Sequence, residues 1–72
     1  MMNRINPGKL LLSKWTAVNP KNRERHFLVN RLLRDEEERI TGVVLEAVIN
    51  RNTYTLEWQE LKDSSRWLMG WR

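Results

Sequence analysis

The absence of cysteine from a chain of 72 residues limits how it can be stabilised more than any other feature. No disulfide can staple it, and no thiolate can hold a structural metal. A chain this short buries only about 60% of the surface its unfolded form exposes, so the core is thin. Stability must therefore come from apolar packing. The four tryptophans are the main suppliers, since each large aromatic side chain buries about 150–250 Å². A single domain over residues 1–72 is expected, with 1–8 flexible. The lack of cysteine suits a reducing compartment, and a cytoplasmic location is expected. The longest early apolar run, Leu10-Leu11-Leu12, is shorter than the core of a signal peptide. The run from Val43 to Ile49 contains Glu46 and cannot span a bilayer, so no membrane partner is expected.

The hydrophobic pattern points to strands. Asn6-Pro7 and Asn19-Pro20 read as turns or extended corners, because the residue before a proline is pushed out of the helical region. Between them, Trp15, Thr16 and Val18 suit a short strand within Lys9 to Val18. His26 to Arg34 is ambiguous. Leu28, Val29, Leu32 and Leu33 would share one helical face, whereas a strand puts Phe27, Val29 and Leu33 on one face with Arg31, and Leu28 and Leu32 on the other. A strand is preferred, because polar Asp35 to Arg39 leads into a second β-rich run as in a hairpin.

Ile40 to Asn50 has apolar residues on both faces and suits a central strand. Tyr54 to Gln59 alternates cleanly, with Tyr54, Leu56 and Trp58 expected inward. Asn50-Arg51-Asn52 can form the turn between them. In the tail, Asp63 is placed to cap a helical turn from Ser64 to Met69, with Gly70 ending it in the left-handed conformation. Trp67 and Trp71 are expected to fold back over the sheet.

Ser13-Lys14-Trp15-Thr16, Val44-Leu45-Glu46-Ala47-Val48 and the ending from Glu60 to Trp71 resemble a family of small tryptophan-rich bacterial proteins. The resemblance runs from about Asn6 to Arg72. It implies a bacterial single-domain product and assigns no activity. One departure is Glu36-Glu37-Glu38 after Asp35, where a glycine would sit comfortably in the turn.

Catalysis needs a nucleophile, an oriented base and oxyanion donors. The one histidine, His26, lies between Arg25 and Phe27 with no such set in view. Asp63-Ser64-Ser65 reads as a cap. Glu36-Glu37-Glu38 lacks the alternating oxygen ligands of a calcium loop. Gly8, Gly42 and Gly70 are isolated, so no phosphate loop exists. A non-enzyme with no cofactor and no metal is expected.

Charge suggests the partner. Residues 1–34 carry +7 and residues 35–72 carry −3, and a basic half attracts polyanions. Lys14, Lys21, Arg23, Arg25, Arg31 and Arg34 are expected near one end of the sheet, with Trp15 the aromatic on which a base would stack. Binding of RNA or DNA is thus the leading reading. The alternative is a protein or peptide partner held by Arg66, Trp67 and Trp71, since tryptophan and arginine are enriched at interface hot spots.

The expected fold is mainly β: about four antiparallel strands bent into a half-open barrel of the SH3-like type, with a short C-terminal helical turn. The alternative is an α+β domain with a helix over 21–38.

Overall fold

The computed structural model describes residues 2–72 and is mainly β, an antiparallel sheet of five strands. In chain order these are β1 (Lys14–Lys21), β2 (Glu24–Arg34), β3 (Ile40–Ala47), β4 (Thr53–Glu57) and β5 (Trp67–Met69). Short 3₁₀ helices occupy Pro7–Lys9 and Trp58–Lys62. The strands lie in the order β4-β3-β2-β1-β5, so four consecutive strands form a meander and the last returns beside the first. The edge strands β4 and β5 are not paired with each other, so the sheet is open.

The inner face carries the core. Trp15 from β1, Phe27 and Val29 from β2, and Val43, Leu45 and Ala47 from β3 are buried there. Leu10 and Leu61 join them from outside the sheet. The strict alternation of Val43, Leu45 and Ala47 is what a half-buried strand requires.

The ambiguity in 26–34 has a structural cause. Val29 pairs with Leu45 but Arg31 pairs with Val44, so Asn30 is an extra residue in β2. This bulge shifts the side-chain alternation by one position. Leu32 thereby pairs with Val43 and packs on the core, where strict alternation would have turned it outward. No helix forms over 21–38; the segment is a hairpin end followed by an eleven-residue strand. Asn22 and Arg23 both have positive φ, 55° and 62°, as a two-residue hairpin with matching twist demands.

Other expectations are corrected. There are five strands rather than about four, because the tail from Ser64 to Met69 is not a helical turn. Asp63 Oδ1 does accept from Ser65 N at 3.0 Å and Ser65 Oγ at 2.6 Å, but the turn so formed delivers the chain into β5. There Trp67, Leu68 and Met69 pair with Ala17, Thr16 and Trp15. Gly70 takes the expected positive φ of 79°, at the end of a strand instead of a helix. Asn19-Pro20 does not end β1; it falls in an irregular stretch between Thr16 and Lys21 where a missing N–H is tolerated. β3 stops at Ala47, and Val48 and Ile49 are exposed in the following turn. Trp58 begins the second 3₁₀ helix and lies outside β4, and Tyr54 is 40% exposed.

Residues 2–8 make several bonds, some of them to the C-terminal part of the chain (residue 1 lies outside the described residues). Asn3 N donates to Lys62 O, and Asn3 Nδ2 donates to both Leu61 O and Trp67 O at 2.8 Å. Met2 bridges Asp63. Asn6 caps Pro7–Lys9 by accepting from Gly8 N, with Pro7 in the first turn where its lack of an N–H costs nothing.

Candidate functional site

The sheet offers two distinct features: a basic aromatic cluster on the outer face of β1 and β2 and a cavity on its inner face.

The outer cluster is built by strand pairing. Lys14 pairs with Leu28, and Thr16 pairs with His26, so Lys14, Thr16 and His26 project from the face opposite Trp15 and Phe27. After Gly70 the chain crosses back over this face. Thr16 Oγ1 donates to Gly70 O at 2.7 Å and accepts from Arg72 N at 3.0 Å. The crossing sets Trp71 against His26, ring centroids 5.9 Å apart, with Lys14 Nζ 4.7 Å from the indole centroid. Trp71 Nε1 donates to Phe27 O at 3.0 Å, which fixes the ring while leaving the residue 43% exposed. Arg25 Nε and His26 Nε2 both reach the Arg72 main-chain oxygen, at 3.0 and 2.9 Å. Lys14 and His26 thus lie against one oriented, exposed indole, while Arg25 bonds the Arg72 main-chain oxygen beside it and Arg72 Nε donates to Met69 O.

The cavity, about 560 Å³, is lined by residues of both edge strands and of the strands between them. Tyr54 and Leu56 of β4 form one wall and Trp67 of β5 the other, with Phe27 behind, Glu24 at one side and Arg66 and Lys21 around it. The rings interlock: Phe27 meets Tyr54 and Trp67 edge-on, at 6.1 and 5.3 Å. Glu24 is only 4% exposed, and three donors satisfy it. Tyr54 Oη donates to Oε1, and Asn50 and Asn52 Nδ2 donate to Oε2 at 2.8 and 3.0 Å. These bonds, that of Tyr54 foremost and then that of Asn50, hold the Glu24 carboxyl below its ordinary value against the opposing effect of burial. The same contact with Glu24 pushes the Tyr54 phenol up. Glu24 forms no ion pair among the described residues.

The residues singled out from the sequence scatter. Trp15 is 1% exposed and lies in the core, its Nε1 bonded to Ser13 Oγ, so no external base can stack on it. The six cations do not gather at one end. Lys21, Arg23 and Arg25 sit at the β1–β2 hairpin, whereas Arg31 and Arg34 lie toward the far end of β2. Arg34 is nine residues beyond Arg25, about 30 Å of strand. Arg66, Trp67 and Trp71 do not form one patch either, since Trp67 and Arg66 line the inner cavity and Trp71 lies outside. Sequence reasoning missed Glu24, Tyr54, Asn50 and Asn52 as one network, and His26 and Arg72 as neighbours of Trp71. Asn50 and Asn52 signalled a turn, but nothing local links them to Glu24.

Among the described residues no group of His, Cys, Asp and Glu could hold a metal ion. No helix among them is long and apolar enough to cross a membrane.

The sequence model of a family described as tryptophan-rich protein (DUF2389) matches residues 13–72. The chain belongs to this tryptophan-rich family. No curated protein and no solved structure matches it. The match begins at Ser13, the residue before β1, and takes in all five strands. In this member of the DUF2389 family the four tryptophans have different places. Trp15 is core, Trp58 is half-buried with Lys62 Nζ 4.9 Å from its ring, Trp67 is a half-buried cavity wall, and Trp71 is exposed.

Proposed function

We propose that this protein is a non-catalytic module that binds single-stranded RNA or DNA on the outer face of β1 and β2, around Trp71. The observation that carries the reading is the exposed, hydrogen-bonded Trp71 indole against Lys14 and His26, with Arg25 bonded to the adjoining Arg72 main chain. Single-strand binders combine cations that track the backbone with aromatic rings that stack bases, each stack worth about 1–3 kcal/mol. Fixing the ring through Phe27 O before a ligand arrives lowers the entropy cost of using it. Arg23 at the β1–β2 hairpin adds a further exposed cation. A protein partner held by Arg66, Trp67 and Trp71 together is disfavoured, because those residues face different sides.

The test is titration of short single-stranded oligonucleotides at low salt, followed by indole fluorescence and NMR. Binding should shift the Trp71 Nε1–H signal and weaken with salt at a log–log slope of about −0.7 per phosphate contact. Trp71→Ala should weaken binding, and joint replacement of Lys14 and Arg25 by Ser should weaken it and flatten the slope. Joint replacement of Arg31 and Arg34 by Ser, at the far end, should do much less. Absence of oligonucleotide binding at low salt, or equal losses from both pairs, would overturn the reading.

A further inference from the structure

We propose that the protein self-associates through the free edge of β4, which pairs antiparallel with β4 of a second copy about a two-fold axis at Tyr54. This contact needs no nucleic acid and is independent of the reading built on Trp71.

The two outer strands of the sheet are finished differently. In β5, Gly70 N donates to Lys14 O and Val18 N to Arg66 O. That phase turns the main chain of Leu68 toward β1 and the main-chain groups of Trp67 and Met69 outward. The chain itself occupies most of those outward groups. Trp67 N donates to Asp63 O at 3.0 Å, Trp67 O accepts from Asn3 Nδ2 at 2.8 Å, and Met69 O accepts from Arg72 Nε at 3.2 Å.

β4 is not finished in this way. Ala47 N donates to Asn52 O, which sets the phase of the β3–β4 pairing. Tyr54 and Leu56 therefore bond to β3, while Thr53, Thr55 and Glu57 turn their main-chain groups outward. Glu57 N is taken by Glu60 Oε2 at 3.1 Å. The outward N–H and C=O groups of Thr53 and Thr55 have no partner among the described residues. The usual guards of an outer strand are also missing. β4 contains neither proline nor lysine, and it pairs with β3 from Thr53 to Glu57 without a bulge.

These open groups select one register. Two copies satisfy all of them when Thr53 of each faces Thr55 of the other, each pair exchanging both main-chain bonds. Tyr54, 40% exposed, then meets Tyr54 of the second copy across the axis, its ring already held by the bond to Glu24. Aromatic and threonine pairs of this kind stabilise neighbouring strands. The same register brings Arg51 alongside Glu57 of the second copy, at both ends of the contact by symmetry. Both side chains are exposed, and neither forms an ion pair within its own chain among the described residues. That charge match played no part in choosing the register, and it commits the edge to a second copy in preference to a foreign strand. A two-fold contact consumes the same edge on both copies, so the assembly closes as a dimer.

A five-residue edge is a small contact, well under the roughly 1,200 Å² of stable complexes. The dissociation constant is therefore expected at about 0.1–1 mM.

The experiment is sedimentation equilibrium and amide NMR of the full chain, without nucleic acid, up to about 2 mM protein. The mass should rise toward that of a dimer, with the Thr53 and Thr55 amides shifting with concentration and those of Trp67–Met69 unmoved. Arg51→Glu and Glu57→Arg each oppose like charges at both ends, and each alone should raise the dissociation constant about tenfold or more. Mixed in equal amounts, the two variants match opposite charges at both ends again, and association should return. Variants weakened only by poor folding would gain nothing from mixing, and the shifts of the parent protein do not depend on either variant. A monomer at the highest concentration would overturn the proposal. So would concentration-dependent shifts centred on β5 or Trp71, or a mixture no more associated than its components.

Discussion

Tyr54 Oη donates to Glu24 Oε1 across thirty positions of sequence, tying β4 to the β1–β2 hairpin. Both partners titrate away from their ordinary values because of this bond: Glu24 downward and Tyr54 upward. A carboxylate held low in the folded state stabilises the fold above its unfolded value, and that contribution is lost as pH falls through the folded value. A phenol held high contributes below its unfolded value and is lost as pH rises through the folded one. Melting temperature against pH should therefore drop as the solution is acidified below about 4.5. Tyr54→Phe should make that drop smaller, because the folded and unfolded values of Glu24 come closer together, and Glu24→Gln should remove this part of it. Asp35 and Asp63, also held low by their bonds to Arg39 and Ser65, keep the remainder. A Glu24→Gln profile parallel to that of the parent would rule the network out as a source of acid sensitivity.

Leu61 is fully buried, although it sits on a short 3₁₀ helix and not in the sheet. It packs in the core cluster from outside the strands. Leu61→Ala should cost about 2–5 kcal/mol in urea unfolding. Leu56→Ala, at a half-buried cavity wall, should cost clearly less. Equal losses would mean that the 3₁₀ helix is not integral to the core.

Gly42 lies where β3 runs close to β4. A Cβ there would stand 2.8 Å from Leu56 O and 3.4 Å from Leu33 Cδ1. The near atom is main chain, so relief requires the two strands to part. Gly42→Ala should destabilise by about 1–3 kcal/mol and weaken amide protection along Thr53–Glu57. An unchanged unfolding midpoint would contradict that packing.

Glu38 has φ 65° in the turn closed by Asp35 N to Arg39 O. A left-handed conformation costs an L-residue about 1–2 kcal/mol, while glycine loosens the unfolded chain by about 0.4–1 kcal/mol. The bond from Arg34 Nη1 goes to the Glu38 main-chain oxygen and survives the change. Glu38→Gly should thus raise stability, by about 0.5–1 kcal/mol, measurable as a higher melting temperature. A lower one would place the strain elsewhere.

The sequence announced what local pattern controls. The two-faced apolar run from Ile40 to Asn50 and the alternation from Tyr54 to Gln59 revealed their hairpin, and the mainly β class followed from it. Asn30 hid the faces of β2, because one inserted residue makes a strand imitate helical spacing over a short window. β5 was invisible for a different reason. It is three residues long, and its partner β1 lies some fifty positions away. Asp63 and Ser65 make the same local bonds in an isolated turn as in a helix cap, so their chemistry could not tell the two apart. The candidate sites were less legible still. Trp71 gains its setting from Lys14 and His26, and Glu24 from Asn50, Asn52 and Tyr54, all brought together only by pairing of distant strands.

The shortness of β5 has a bearing on self-association. Three residues make a light seal, and if Trp67–Met69 lifts away, β1 becomes the outer strand of the sheet. A bare outer strand is an invitation to pair with another chain. β1 is poorly suited to accept it: Lys14 and Lys21 stand at its two ends, Pro20 lacks a main-chain donor, and its course is irregular after Thr16. Were the tail to open, the strand beneath it would therefore resist aggregation.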